Sequence, residues 1–262
     1  MIVDFHTHCF PDFLAERAMA ALSEQGSIKS YTNGTVSNLK ETMKQNNINH
    51  SVVLQIATKP SQVVAVNNWA IETGKDNITV FGSIHPLYEN WKSELDRIAA
   101  AGVKGIKLHP EYQNFYVDDD IMLPMYEHIG KLGLILSFHA GADIAFPPPV
   151  RCSPERLMKC HDYLPSGKTI LAHMGGWEMW DKVDCILRDT HFIYDTAFCY
   201  KFIDPEQMKH IIQNHGADKI VMGSDSPWED QSDTLRLIKS LNLSAEDESA
   251  IFGGNAVKLL GL

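Results

Sequence analysis

Ile2-Val3-Asp4-Phe5-His6-Thr7-His8 is an apolar stretch that ends in two histidines one residue apart. Strand side chains alternate faces, so on a strand His6 and His8 project to the same side. On a helix the pair would stand about 200° apart and could not share a ligand. Neutral imidazole is the commonest metal-binding side chain, and two on one strand face make half a cation site. A histidine pair satisfied in a core would look the same in isolation, so the rest of the chain has to decide.

Outward from this stretch, short β-branched segments alternate with amphipathic ones to the end of the chain. Strands are expected at 2–8, 51–57, 78–84, 104–109, 133–139, 169–174, 191–196 and 219–224. Helices are expected at 36–46, 61–74, 90–101, 120–131, 153–162, 178–187, 205–214 and 231–240, with two closing helices near 244–251 and 254–260. Gly102, Gly133 and Asn214-His215-Gly216 mark turns. Ser153-Pro154 and Asp204-Pro205 read as N-caps with proline at the first helical position. Eight β units, each followed by a helix, make a (β/α)8 TIM barrel, expected as one α/β domain over 1–262. A doubly wound sheet fits less well, since no GxGxxG or Walker pattern is present. The connection from Phe10 to Thr35 is long, and its apolar spacing suggests an inserted helix over the barrel mouth. The segment 140–152, with Pro147-Pro148-Pro149, is a second irregular mouth loop.

Polar residues recur where strands should end. Strand five ends in His139, strand six in His173 and strand eight in Asp225. A parallel barrel gathers the carboxyl ends of its strands on one face, where catalysis is built. His6, His8, His139, His173 and Asp225 should therefore meet, although they span more than 200 residues. Several imidazoles and a carboxylate with an open position are what a catalytic divalent ion needs. Asp225 could take a proton from water, and His173 could stabilise an oxyanion or donate a proton. Lys107 and His109 share a face of strand four and are candidate substrate contacts. Asp195 at the end of strand seven, Arg151 in the mouth loop, and Trp177 and Trp228 after strands six and eight complete that set.

The chain of 262 residues is 44% hydrophobic, enough for a sizeable core. A net charge of −10 with no basic cluster disfavours nucleic acid. Five dispersed cysteines without a CxxC pattern read as free thiols of a reducing compartment. No apolar run reaches the ~18 residues of a membrane span. The expectation is a cytoplasmic protein with a small-molecule substrate, without a nucleic-acid or membrane partner; a homodimer is compatible with it.

Five motifs carry a family resemblance: Asp4-Phe5-His6-Thr7-His8, Gly105-Ile106-Lys107-Leu108-His109-Pro110, Leu171-Ala172-His173-Met174-Gly175-Gly176, Gly223-Ser224-Asp225-Ser226-Pro227-Trp228 and Gly253-Gly254-Asn255-Ala256. With them the chain resembles the amidohydrolase superfamily, in the branch of metal-dependent hydrolases related to aminocarboxymuconate-semialdehyde decarboxylase. The resemblance implies one divalent ion held by His6, His8, His139 and Asp225, with His173 beside it. Zn²⁺ is the expected species, Mn²⁺ or Fe²⁺ are alternatives, and a second ion stays open. It also makes Lys107 a candidate bridge in a two-metal site. PHP-type phosphoesterases and TatD-like nucleases also open with His-x-His. The former want Asp-x-His late in the chain, where Asp225 is followed by Ser226-Pro227; the latter want a glutamate on strand four, where Lys107 stands. The expected reaction is hydrolysis of a lactone, ester or amide of a carboxylic acid. Non-oxidative decarboxylation of a carboxylated aromatic or enol-type acid is the alternative, and a barrel with a purely structural ion is a third reading.

Overall fold

Every β-branched segment pairs in parallel with the next one in the chain, because each amphipathic helix between them returns the backbone to the same end of the sheet. The computed structural model describes residues 1–262. Its elements are β1 (Val3–Thr7), α1 (Asp12–Gly26), α2 (Val36–Gln45), β2 (His50–Leu54), α3 (Val63–Thr73), β3 (Ile78–Ser83), α4 (Trp91–Ala100), β4 (Gly105–Leu108), α5 (Pro110–Gln113), α6 (Leu123–Lys131), β5 (Ile135–Phe138), α7 (Pro154–Cys160), β6 (Thr169–Leu171), α8 (Trp180–Ile186), β7 (Ile193–Asp195), α9 (Pro205–His215), β8 (Ile220–Val221), α10 (Gln231–Ser240), α11 (Ala245–Ser249) and α12 (Asn255–Leu260). The sheet order follows the chain, β1 to β8. It closes where Phe5 N–H donates to the Met222 carbonyl at 2.7 Å and His8 N–H to Ser226 at 2.6 Å. The fold is a (β/α)8 TIM barrel.

The expected caps form: Ser153 accepts from the Arg156 N–H, and Asp204 from those of Glu206 and Gln207. The inserted mouth helix is present as α1. The sequence reading had no counterpart of α5, a single turn that starts at Pro110 and ends on left-handed Asn114.

Two apolar layers hold the barrel. The larger lies between strands and helices. The smaller fills the barrel floor with Val3, Phe5, Val52, Leu54, Phe81, Ile135, Ile170, Ile193 and Val221, plugged by Ala256 and Leu260 of α12. Burying each such side chain is worth about 1.5–3 kcal/mol. Gly105 is required in this layer, because a Cβ there would lie 2.5 Å from the Phe81 ring and 2.8 Å from the Ile135 carbonyl. The next residue inward on β4 is Lys107, so the interior turns from apolar to polar within one pleat.

Strict alternation fails in β1. Phe5 faces the floor, edge-on to Phe81, yet the adjacent His6 also turns inward. The pairing of β1 with β2 slips between Asp4 and Thr7, a bulge that reverses the parity of the strand end. Asp4, pointing away, accepts from the Ser224 hydroxyl at 2.6 Å and Gln231 Nε2 at 2.8 Å, tying β1 to the start of α10.

Candidate metal centre

His6 and His8 share one side, as the strand spacing requires, and Asp225 faces them from the end of β8. His6 Nε2, His8 Nε2 and Asp225 Oδ1 lie 3.0–3.2 Å from one another. Their other atoms are committed. His6 Nδ1 donates to Asp195 Oδ2 at 2.8 Å, and His8 Nδ1 donates to the Leu54 carbonyl at 2.9 Å. With those protons assigned by their partners, both Nε2 atoms present lone pairs. Two lone pairs and a carboxylate oxygen thus face one another, a repulsive set unless a cation lies among them. With metal–nitrogen distances of ~2.0–2.1 Å, the edge of a tetrahedral site is about 3.3 Å, close to the separations found. The donor set fits a divalent ion.

His139 and His173 make a second contact, His139 Nδ1 to His173 Nε2 at 3.0 Å. His173 Nδ1 donates to the Ala197 carbonyl at 2.8 Å, so its Nε2 only accepts. His139 Nε2 faces the Ala142 carbonyl at 3.0 Å, another acceptor. One neutral imidazole cannot donate at both ends, and burial pulls His139 down to about 3, so it does not charge near neutrality. One face of His139 is therefore left for a cation. Its ring stands outside the His6–His8–Asp225 group and instead belongs to a second one with His109 and Asp143. Asp143 Oδ2 lies 3.3 Å from His109 Nε2 and 3.6 Å from His139 Nε2, and the two rings stack at 4.2 Å.

The backbone at these positions is unusual. His173, Met174 and Asp225 have φ of 60°, 54° and 66°, the left-handed region, where His and Asp are among the residues most often tolerated. Each such residue costs on the order of 1–3 kcal/mol. The cost is sustained by specific bonds: His173 N–H to Asp195 Oδ1 at 3.0 Å, Met174 N–H to the Asp195 carbonyl at 2.6 Å and Asp225 N–H to the His6 carbonyl at 2.8 Å.

Electrostatics follow from burial. Burial drops His173 to about 3 and also lowers His8, so both are neutral near pH 7. Burial opposes the charge on both His6 and Asp225; the attraction of His6 to Asp195 and Asp225 outweighs it, raising His6 and holding the Asp225 carboxyl well below its usual range, with a His6 Nε2 proton standing in for a cation. Lys107 is 1% exposed and its Nζ has no hydrogen-bond partner. Burial brings it down to about 8, while Asp195 and Asp225 resist the shift.

These side chains line one cavity of about 1010 Å³ at the barrel mouth, together with Trp177 and Trp228. Two expected substrate contacts do not line it. Asp195 is fully buried behind His6, and its oxygens are taken by His6, His173 and Ala197. It positions His6 and the His173 backbone instead of meeting substrate. The Arg151 guanidinium lies over the Tyr116 ring, 4.9 Å from its centroid, and the Arg151 N–H donates to Glu111. Asp143, which sequence reasoning missed, lies in the irregular 140–152 mouth loop, where no period marks which side chains face the cavity. Cys9 joins the wall, but burial raises its thiol to about 12, so it offers no thiolate.

The family model described as Amidohydrolase matches residues 3–262, and the chain belongs to that family. No curated protein matches it. Among solved structures, it is similar to the 5-carboxyvanillate decarboxylase of Sphingomonas paucimobilis, at 13% identity and a TM-score of 0.73, covering 100% of this chain and 99% of that one. A dihydroxybenzoic acid decarboxylase of Polaromonas sp. JS666, with bound manganese and the inhibitor 2-nitroresorcinol, gives 15% identity, a TM-score of 0.72 and coverage of 100% and 97%. A Pseudomonas putida protein provisionally named a 2-pyrone-4,6-dicarboxylic acid hydrolase gives 15%, 0.69 and coverage of 99% and 97%. No helix is long and apolar enough to cross a membrane.

Proposed function

We propose that this chain is a metal-dependent hydrolase of a carboxylic-acid lactone, ester or amide, with His6, His8 and Asp225 holding one divalent ion and His139 completing the set. The observation that carries this reading is the convergence of His6 Nε2, His8 Nε2 and Asp225 Oδ1 on one point, with the two imidazoles held there by partners on their far sides. A divalent ion bound there supplies Lewis acidity toward a substrate oxygen and makes water more acidic.

The protein's own groups divide the remaining work. Asp225, held ionised, accepts the proton that water loses as it attacks. His173 is fixed with its Nε2 lone pair inward and orients the attacking water. Lys107, buried with an unpartnered ammonium among acceptors, binds the substrate carboxylate or the oxygen that gains charge. His109 and Asp143 contact the substrate from the β4–β5 side, and Trp177 and Trp228 wall the pocket. Asp195 fixes the His6 ring, as carboxylates behind metal-bound imidazoles do.

Decarboxylation is the second reading, favoured by the names of the decarboxylases with this fold and by Lys107, a donor facing the cavity. The test is to load the protein with Zn²⁺ or Mn²⁺, measure bound metal, and assay lactone and ester opening against CO₂ release on one panel of acids. Lactone or ester opening without CO₂ supports hydrolysis. CO₂ release alone selects decarboxylation, and metal-free protein under saturating ion would overturn both.

A further inference from the structure

The cavity does not end at the donor cluster. It continues between α1 and α3 as a groove in the same volume. On α1, Leu14, Ala18, Ala21 and Gln25 line it at i, i+4, i+7 and i+11, so one helical face flanks the groove for about 16 Å. On α3, Ala65, Val66 and Trp69 supply the opposite wall. Leu14 is 41% exposed, so this wall holds apolar surface that nothing in the chain covers. At the inner end stands Lys107, whose buried ammonium has no partner.

We propose, resting on the reaction reading above, that the substrate is an elongated amphiphilic acid derivative. Its polar head reaches Lys107 and the donor cluster, and its apolar arm lies between α1 and α3. Two observations select this occupant over a one-ring acid. The cavity, at about 1010 Å³, stands at the upper limit of sites that bury a drug-sized ligand, so one ring would leave most of it to water. Lys107 is the buried cation of one continuous space whose α1 and α3 walls are mainly apolar, with Arg17 and Glu72 among them, which matches an anionic head joined to a hydrocarbon arm. α1 is thereby a specificity element, inserted in the chain immediately after the His6–His8 strand.

The probe is a series of n-alkanoates, butanoate to dodecanoate, titrated calorimetrically into Zn²⁺-loaded protein. Affinity is expected to rise roughly fourfold per added methylene, the gain from burying one CH₂. Ala18→Trp on α1 and, independently, Ala65→Trp on α3 should flatten the series beyond the shortest acids. Ala20→Trp, on α1 away from the groove, should leave it unchanged. A flat series in the unaltered protein overturns the proposal, as does an unchanged slope in both groove variants when circular dichroism shows them folded. Sedimentation run in parallel identifies the rival occupant: a dimer that Ala18→Trp dissociates, with a flat series, means a second copy fills the groove. Failure of the reaction reading looks different, since the series would then climb with no acid, ester or lactone turned over.

Discussion

Two histidines and an aspartate meet on the β1–β8 side of the mouth, and two histidines and an aspartate meet again on the β4–β5 side. In the first group both imidazoles are backed. Asp195 holds His6, the Leu54 carbonyl holds His8, and Asp225 follows β8 with its N–H bonded to β1. In the second, His109 Nδ1 has no hydrogen-bond partner, the nearest carboxylate being Glu111 at 3.8 Å. Asp143 is held in its loop by the Ala145 N–H at 2.7 Å, but His139 is shared with His173, so here the imidazoles are the loose members. Equal composition therefore gives unequal preorganisation. Donors with locked far sides lose little freedom when a cation arrives, whereas loosely backed ones can shift to meet a substrate.

The largest effect should come from removing charge in the locked group. Asp225→Asn should cut turnover roughly 10²–10⁴-fold, the range for losing a positioned proton acceptor, and lower bound metal, with the far-ultraviolet spectrum intact. Near-native turnover would erase the distinction between the groups. Next is Glu111, beside the loose group, its carboxyl raised to about 7 mainly by burial and one oxygen left without a partner. An acid whose folded pKa lies above its unfolded value stabilises the fold while protonated, and that contribution is lost as pH rises from about 4.5 through about 7. The loss amounts to at most about 3 kcal/mol, at 1.36 kcal/mol per pH unit. Urea unfolding should therefore show stability falling over that window, and Glu111→Gln should remove much of the fall. An unchanged pH profile in the variant would place the titration elsewhere.

The contrast between the groups also marks what could be read in advance. All eight strands and the strand-end positions of His139, His173 and Asp225 follow from local periodicity and from the rule that parallel strands end on one face. The bulge in β1 does not, because period-two reasoning places Phe5 and His6 on opposite faces. The slip is set by pairing with β2 and β8, which lie about fifty and two hundred residues away. Asp143 escaped for a related reason. Its loop is placed by Gly141, at φ of 84° and so close to the Trp177 backbone that a Cβ would lie 2.2 Å from its nitrogen. Such close approach is a tertiary fact with no periodic signature. Arg151 was credited with a ligand role on its charge, but its direction is decided by stacking on Tyr116.

Asp195→Asn tests the backing itself. The amide keeps the size of the side chain but weakens the hold on His6 Nδ1, so metal affinity should fall about 10–100-fold by chelator competition. A loss of turnover with unchanged affinity would mean that Asp195 works through His173 instead.

The smallest effect on the ion should come from the loose group, and this makes it the sharper discriminator. Asp143→Asn removes the charge that His109 Nε2 faces at 3.3 Å and His139 Nε2 at 3.6 Å, but it touches none of His6, His8 and Asp225. Metal affinity should change less than threefold while KM rises up to about tenfold, the loss of a contact worth roughly 1 kcal/mol. Bound metal counted in the variant settles which group holds the ion. If Asp143→Asn strips the metal while Asp225→Asn retains it, the β4–β5 triplet is the cation site, and rigid backing is the wrong criterion for telling the two apart.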